Sequence, residues 1–208
     1  PSQRIELLNK LSDRIIRTNP VAAHSYSHEA YRLSQTLESD RLAAETSLLM
    51  GRVHLSIAQY DSALVFFQIA ERNFLKLGDD HSLASVYNGM ALSYASPNAY
   101  ERAMPHYGSS IALYRRFKDT TGIGMVTNNL GNAYLDQGKF YSALASFRRA
   151  IDLYELTGEQ QRLTGLFSNT ALIYMHLGDF ISAKDYLHRA LAINQGDESL
   201  QDIAIVKH

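Results

Sequence analysis

Asn129-Leu130-Gly131-Asn132-Ala133-Tyr134, then Gly138-Lys139-Phe140, Ala143, Phe147 and Ala150 read as two amphipathic helices joined at a glycine. Bulky apolar and small residues fall three, four and seven positions apart, which gathers them on one helical face. Gly131 and Ala143 leave room for two helix backbones to approach. Gly138 suits the left-handed residue that ends a helix, so the segment predicts a helical hairpin.

The pattern returns outward from this hairpin every forty residues. Ala63, Ala103, Ala143 and Ala183 are each followed seven residues later by Ala70, Ser110, Ala150 and Ala190. Tyr60, Tyr100, Phe140 and Phe180 precede those alanines, and Phe67, Tyr107, Phe147 and Leu187 follow them. Upstream stand Met50-Gly51, Met90-Ala91, Leu130-Gly131 and Thr170-Ala171, with His54, Tyr94, Tyr134 and Tyr174 beyond them. The links Leu77-Gly78-Asp79-Asp80, Lys118-Asp119-Thr120 and Thr157-Gly158-Glu159 carry stopping and capping residues at one phase. A fixed period of this kind marks a stacked repeat, and the expectation is an all-α chain of ten helices in five hairpins.

The first repeat is degenerate and reads as an end cap, with Asn19-Pro20 capping and opening its second helix. Asp202-Ile203-Ala204-Ile205-Val206 aligns with Gly122-Ile123-Gly124-Met125-Val126, so the sequence reads as stopping inside a sixth repeat and continuing naturally past His208. Pro105 predicts a kink or a late start in the third repeat's second helix. Pro97-Asn98 replaces the glycine turn of later repeats, which makes the third hairpin the least regular one expected.

Composition narrows the function classes. Twenty Lys+Arg balance 21 Asp+Glu, giving a net charge of -1 without the basic stripe that binds a phosphate backbone, so nucleic acid is not an expected partner. No apolar run reaches the roughly 18 residues of a membrane span. The absence of cysteine removes disulfides, thiol catalysis and thiolate metal sites, and leaves the compartment open, with the cytoplasm as the default. His24 and His28 share a helical face, yet no third ligand is apparent and no metal is expected. Gly122-Ile123-Gly124 lacks the preceding strand and third glycine of a nucleotide loop, and its glycines are expected to allow close packing between hairpins. No nucleophile elbow or paired catalytic carboxylates occur, so no catalytic residue and no cofactor are expected within these residues.

The segment around Asn129–Ala150 resembles the tetratricopeptide repeat consensus, and the resemblance covers nearly the whole chain, although tryptophan is absent. Forty residues exceed the usual repeat of about 34. The longer variety is similar to spindle-orientation adaptors, kinesin light chains and bacterial signalling regulators that join such repeats to an output domain. The resemblance implies a right-handed superhelical solenoid of about five repeats, framed at 4–43, 44–83, 84–123, 124–163 and 164–203, with 204–208 opening another. It also implies first helices that line a concave groove, where asparagines of successive repeats hold an extended peptide.

The matching positions are Asn129 and Asn169, with Asn88 and Asn128 one step earlier and Asn132 three beyond Asn129. An amide both donates and accepts, so it satisfies a peptide unit without reading its side chain. The same position is Leu49 and Gly89 in earlier repeats, where Arg52 offers a guanidinium to a carboxylate of a ligand or of the protein itself. Asp136 and His176 add an acidic and a titratable group. Tyr87, Tyr94, Tyr134 and Tyr174 are expected to pack. The expected function is a non-catalytic protein- or peptide-binding scaffold, the sensory part of a longer signalling protein. The alternatives are a free-standing adaptor and a self-association module.

Overall fold

The computed structural model describes residues 2–94 and 99–206, with 195–206 described by backbone alone. Pro97-Asn98 lie outside the described residues. The chain divides into two compact units, Pro1–Phe117 and Lys118–His208. The first holds α1 (Ser2–Ile15), α2 (Pro20–Ser34), α3 (Asp40–Ser56), α4 (Tyr60–Leu77), α5 (Asp80–Ser93) and α6 (Tyr100–Arg116). The second holds α7 (Thr120–Asp136), α8 (Phe140–Thr157), α9 (Gln160–His176) and α10 (Phe180–Val206). Among the described residues all regular structure is helical, and consecutive helices pair into five hairpins.

The capping residues act as their types dictate. Asn19 accepts from the Ala22 amide with Pro20 at the first helical position. Asp79 accepts from Ser82, Asp119 from Gly122 and Asp179 from Ser182, each satisfying an amide that the helix leaves unpaired. Left-handed backbone recurs at the same phases: Gly138 and Gly178 inside hairpins, Gly78 and Gly158 between them. Two members of the series are not glycine, Ala58 with φ 57° and Lys118 with φ 55°. At Ala58 the hairpin turn is therefore imposed by the packing of the two helices it joins, α3 and α4.

The core alternates rings with missing side chains. Phe67 of α4 is fully buried, and a Cβ at Gly51 of α3 or at Gly89 of α5 would lie within 3 Å of its ring. Gly131 of α7 is equally close to Phe147 of α8. Gly124 lies against Tyr154 of α8, so its small size closes α7 onto its own hairpin partner and not, as the sequence suggested, onto another hairpin.

A second rule joins the two helices of three hairpins through residues twelve apart. His54 stacks on Phe66, Tyr94 on His106 and Tyr174 on Tyr186, with ring centres 5.1, 5.7 and 5.6 Å apart. In the α7–α8 hairpin the corresponding residues are Tyr134 and Ser146.

Two expectations about helix ends differ from the structure. Pro105 does not delay α6, which begins at Tyr100, the phase of Tyr60, Phe140 and Phe180. The amide that proline lacks would have bonded the carbonyl of Glu101, an exposed residue in the first turn that water reaches. α10 runs unbroken to Val206, through the position where Asp202 was expected to open another helix. Glu198, not glycine, occupies the phase at which Gly78 and Gly158 stop their helices.

Candidate functional site

Eight side chains were expected on the inner faces of first helices, and the structure separates them into two groups. In the second unit, α7 carries Asn128, Asn129, Asn132 and Asp136, while the neighbouring first helix α9 carries Asn169 and His176. The amides meet: Asn169 Nδ2 donates to Asn132 Oδ1 at 3.1 Å, across 37 residues of sequence. Both residues stay partly exposed, so the amide group of Asn132 and the carbonyl of Asn169 remain for a bound chain. Asn129 is half-buried on the same face and already engaged.

Asn128 differs from the others. Its Oδ1 is buried with no protein donor. A buried acceptor without a donor costs about 1–3 kcal/mol.

The exposed stripe of α9 continues this face through Gly165, Ser168, Leu172, Met175 and His176, spaced as one side of a helix. Leu172 and Met175 are 45% and 49% exposed, so the polar amides border an apolar strip. His176 lies parallel to Phe140 with ring centres 5.5 Å apart, which fixes its orientation at the helix end. Asp136 is exposed at the end of α7. Neither α7 nor α9 contains lysine, and Arg162, the arginine of α9, is closed on Glu159 at 3.1 Å. The face can therefore offer amide donors and acceptors, apolar contact and an anionic end.

In the first unit the expected residues are otherwise employed. Arg52 pairs with Asp13 of α1 at 2.7 Å, so its guanidinium joins α3 to the first helix. Asn88 is only 7% exposed and makes a contact of its own inside the unit's packing. The partners of the expected tyrosines are now specific: Tyr94 lies under the Arg102 guanidinium, and Arg148 donates to the Tyr174 hydroxyl, which raises the arginine's pKa. Among the described residues no group of three histidines or carboxylates converges as a metal site. No described helix is long and apolar enough to cross a membrane.

From the sequence, His24 and His28 share one helical face with no third partner apparent. The structure instead brings His24 to His54 with ring centres 5.2 Å apart. No local spacing carries that contact, because the two rings belong to different hairpins.

Residues 125–157 match one tetratricopeptide repeat family model and residues 167–197 match another. No curated protein sequence matches the chain. Several solved structures share its fold. BtubC (BKLC) from P. vanneervenii is 22% identical over 93% of this chain and 80% of that protein, with a TM-score of 0.74. A Rap protein complexed with competence and sporulation factor is 17% identical over 96% of this chain, with a TM-score of 0.81. A putative kinesin light chain of Podosopora anserina with nearly identical repeats is 15% identical over 93% of this chain, with a TM-score of 0.67, and is 96% covered. The chain spans 56% of the Rap protein.

Proposed function

This chain is a tetratricopeptide-repeat protein, and we propose that it is a non-catalytic scaffold whose α7–α9 face holds an extended segment of a partner protein. The observation that carries the reading is the Asn132–Asn169 hydrogen bond, which aligns two amides from successive repeats while leaving a donor and an acceptor outward. Amides at this spacing match a strand-like backbone, whose own donors and acceptors alternate every residue. Leu172 and Met175 would cover an apolar side chain, and Asp136 would draw a cationic one.

The similarity to a Rap protein complexed with a factor favours a regulatory use of this face, as the sensing part of a longer signalling protein. Occupation of the amides would stiffen α7 against α9 and alter how the repeats present themselves to an output region. A free-standing adaptor would use the same face without that second step.

Peptides selected from a displayed random library against the whole chain provide the test. Calorimetry with a selected peptide then compares wild type with Asn132→Ala/Asn169→Ala. Each amide lost removes about 0.5–1.5 kcal/mol net, so the double variant should bind roughly 5- to 150-fold more weakly with unchanged folding. Equal affinity in the two proteins would refute this face as the site.

A further inference from the structure

Three imidazoles gather where α2 packs on α3. His24 and His28, one turn apart on α2, stack with ring centres 6.2 Å apart, and His54 of α3 meets His24 edge-on at 5.2 Å. His54 is 7% exposed, and its Nδ1 lies 2.7 Å from Gln59 Oε1. That oxygen only accepts, so Nδ1 carries the hydrogen and the neutral ring keeps its lone pair on Nε2. Phe66 of α4 covers one face of the ring at 5.1 Å and is itself met edge-on by Tyr31 of α2.

The cluster is basic with no acid to balance it. The groups that act electrostatically on His24 are His54 from α3 and His28 from α2, while α4 presents the uncharged Phe66. Asp13 of α1 is closed on Arg52, Glu29 of α2 on Arg4, and Glu6 of α1 acts on Glu45 of α3. Burial first, and then the two neighbouring imidazoles, hold His24 below the ordinary histidine range. Around these rings the seam is apolar, built on Ala23, Leu49 and Val53 with Ile15 and Ile16. Among the described residues no carboxylate acts on His24, so a charge taken up on that ring has no anionic partner.

We propose that His24, His28 and His54 form an acid-opened latch between the first hairpin and the second: a proton taken up on His24, beside two further imidazoles and with no anion acting on it, destabilises the closed α2–α3 seam and releases α2. Opening uncovers Ala23, Leu49 and Val53, which are 0%, 5% and 0% exposed in the closed state. The effect is confined to the first hairpin, because the second unit has no comparable histidine group among its described residues. It does not depend on what the α7–α9 face binds.

Hydrogen exchange on the whole chain between pH 7.5 and 5.5 tests the latch, with α8 amides as the internal reference. Each proton bound preferentially by the open state raises the opening constant about tenfold per pH unit below the free imidazole value of about 6.5. Protection in α2 should therefore fall about fivefold relative to α8 between pH 6.5 and 5.5. His24→Gln should shrink that fall to under about threefold, and the exposed His188→Gln should leave it intact. Parallel behaviour of α2 and α8 in the wild type would overturn the proposal, as would a full fall in His24→Gln. If His24→Gln does not fold, His24→Asn is read in the same way and with the same two outcomes.

Discussion

Replacing Gly89 by alanine tests whether the rings of this fold are seated in glycine notches. A Cβ at Gly89 would lie 2.3 Å from Phe67 Cζ and 2.4 Å from Cε1. Ordinary carbon contacts begin near 3.5 Å, so the ring would have to retreat by about 1.2 Å. It has little room to retreat, because Phe67 is fully buried and is flanked also by Gly51, where a Cβ would come within 2.6 Å of the same ring. Overpacking of this kind costs about 1–3 kcal/mol, more where backbone must shift, and the better helix propensity of alanine returns up to about 1 kcal/mol. The net expectation is a loss of about 1–2 kcal/mol, or roughly 4–10 °C in the melting temperature of the first unit. Gly108→Ala in α6 is the control, since nothing lies within 4 Å of its added Cβ. Propensity acts there alone and should stabilise by about 0.5–1 kcal/mol. Urea titration of both variants and of Gly89→Ala/Phe67→Leu completes the cycle. Leucine at 67 frees the space, so the two changes should couple by about 0.5–3 kcal/mol in the compensating direction. A Gly89→Ala protein as stable as the wild type would refute the notch.

Ala58→Gly relieves a side chain held at φ 57° and should raise stability by about 1 kcal/mol, measured by chemical denaturation. Asp79→Ala removes both the cap on α5 and the 3.4 Å contact with Arg41, at a cost of about 1 kcal/mol at neutral pH. Burial works to raise the Asp79 pKa, but the Ser82 hydrogen bonds and Arg41 outweigh it and hold the carboxyl below the usual range. Its stabilisation is therefore present above the unfolded value of about 3.9 and is lost as pH falls through the folded one, so wild type and Asp79→Ala should converge in strong acid. His106 is held low by burial and by Arg102 against the opposing pull of Glu71. The unfolded chain takes up this proton first, so stability should decline as pH falls through about 6.5 and level off below the folded value. Melting curves at pH 7.5 and 5.5 of wild type and His106→Gln check it, the variant being less stable at 7.5 and flatter with pH.

Much of the architecture was legible in the chain itself. The forty-residue recurrence of Ala63, Ala103, Ala143 and Ala183, the glycines at 78, 138, 158 and 178, and the caps Asn19, Asp79 and Asp119 define helices, turns and buried faces. They do so because helix periodicity and backbone conformation are local properties, carried by residues three, four or seven apart. The amide series was legible as candidates on the same grounds. What the residues could not state is which side chains touch across hairpins. Asn169 reaches Asn132; Arg52 turns to Asp13; His24 finds His54. These pairings depend on the offset and tilt with which one hairpin rests on the next, and on the rotamers that offset permits. The left-handed Ala58 shows the same dependence in the backbone, where the demands of helix packing outweigh a local preference worth about 1–2 kcal/mol. The repeat pattern alone thus determines what faces inward, and only the stacked tertiary structure decides which inward groups meet, because their distance is set by rigid-body packing and not by sequence spacing.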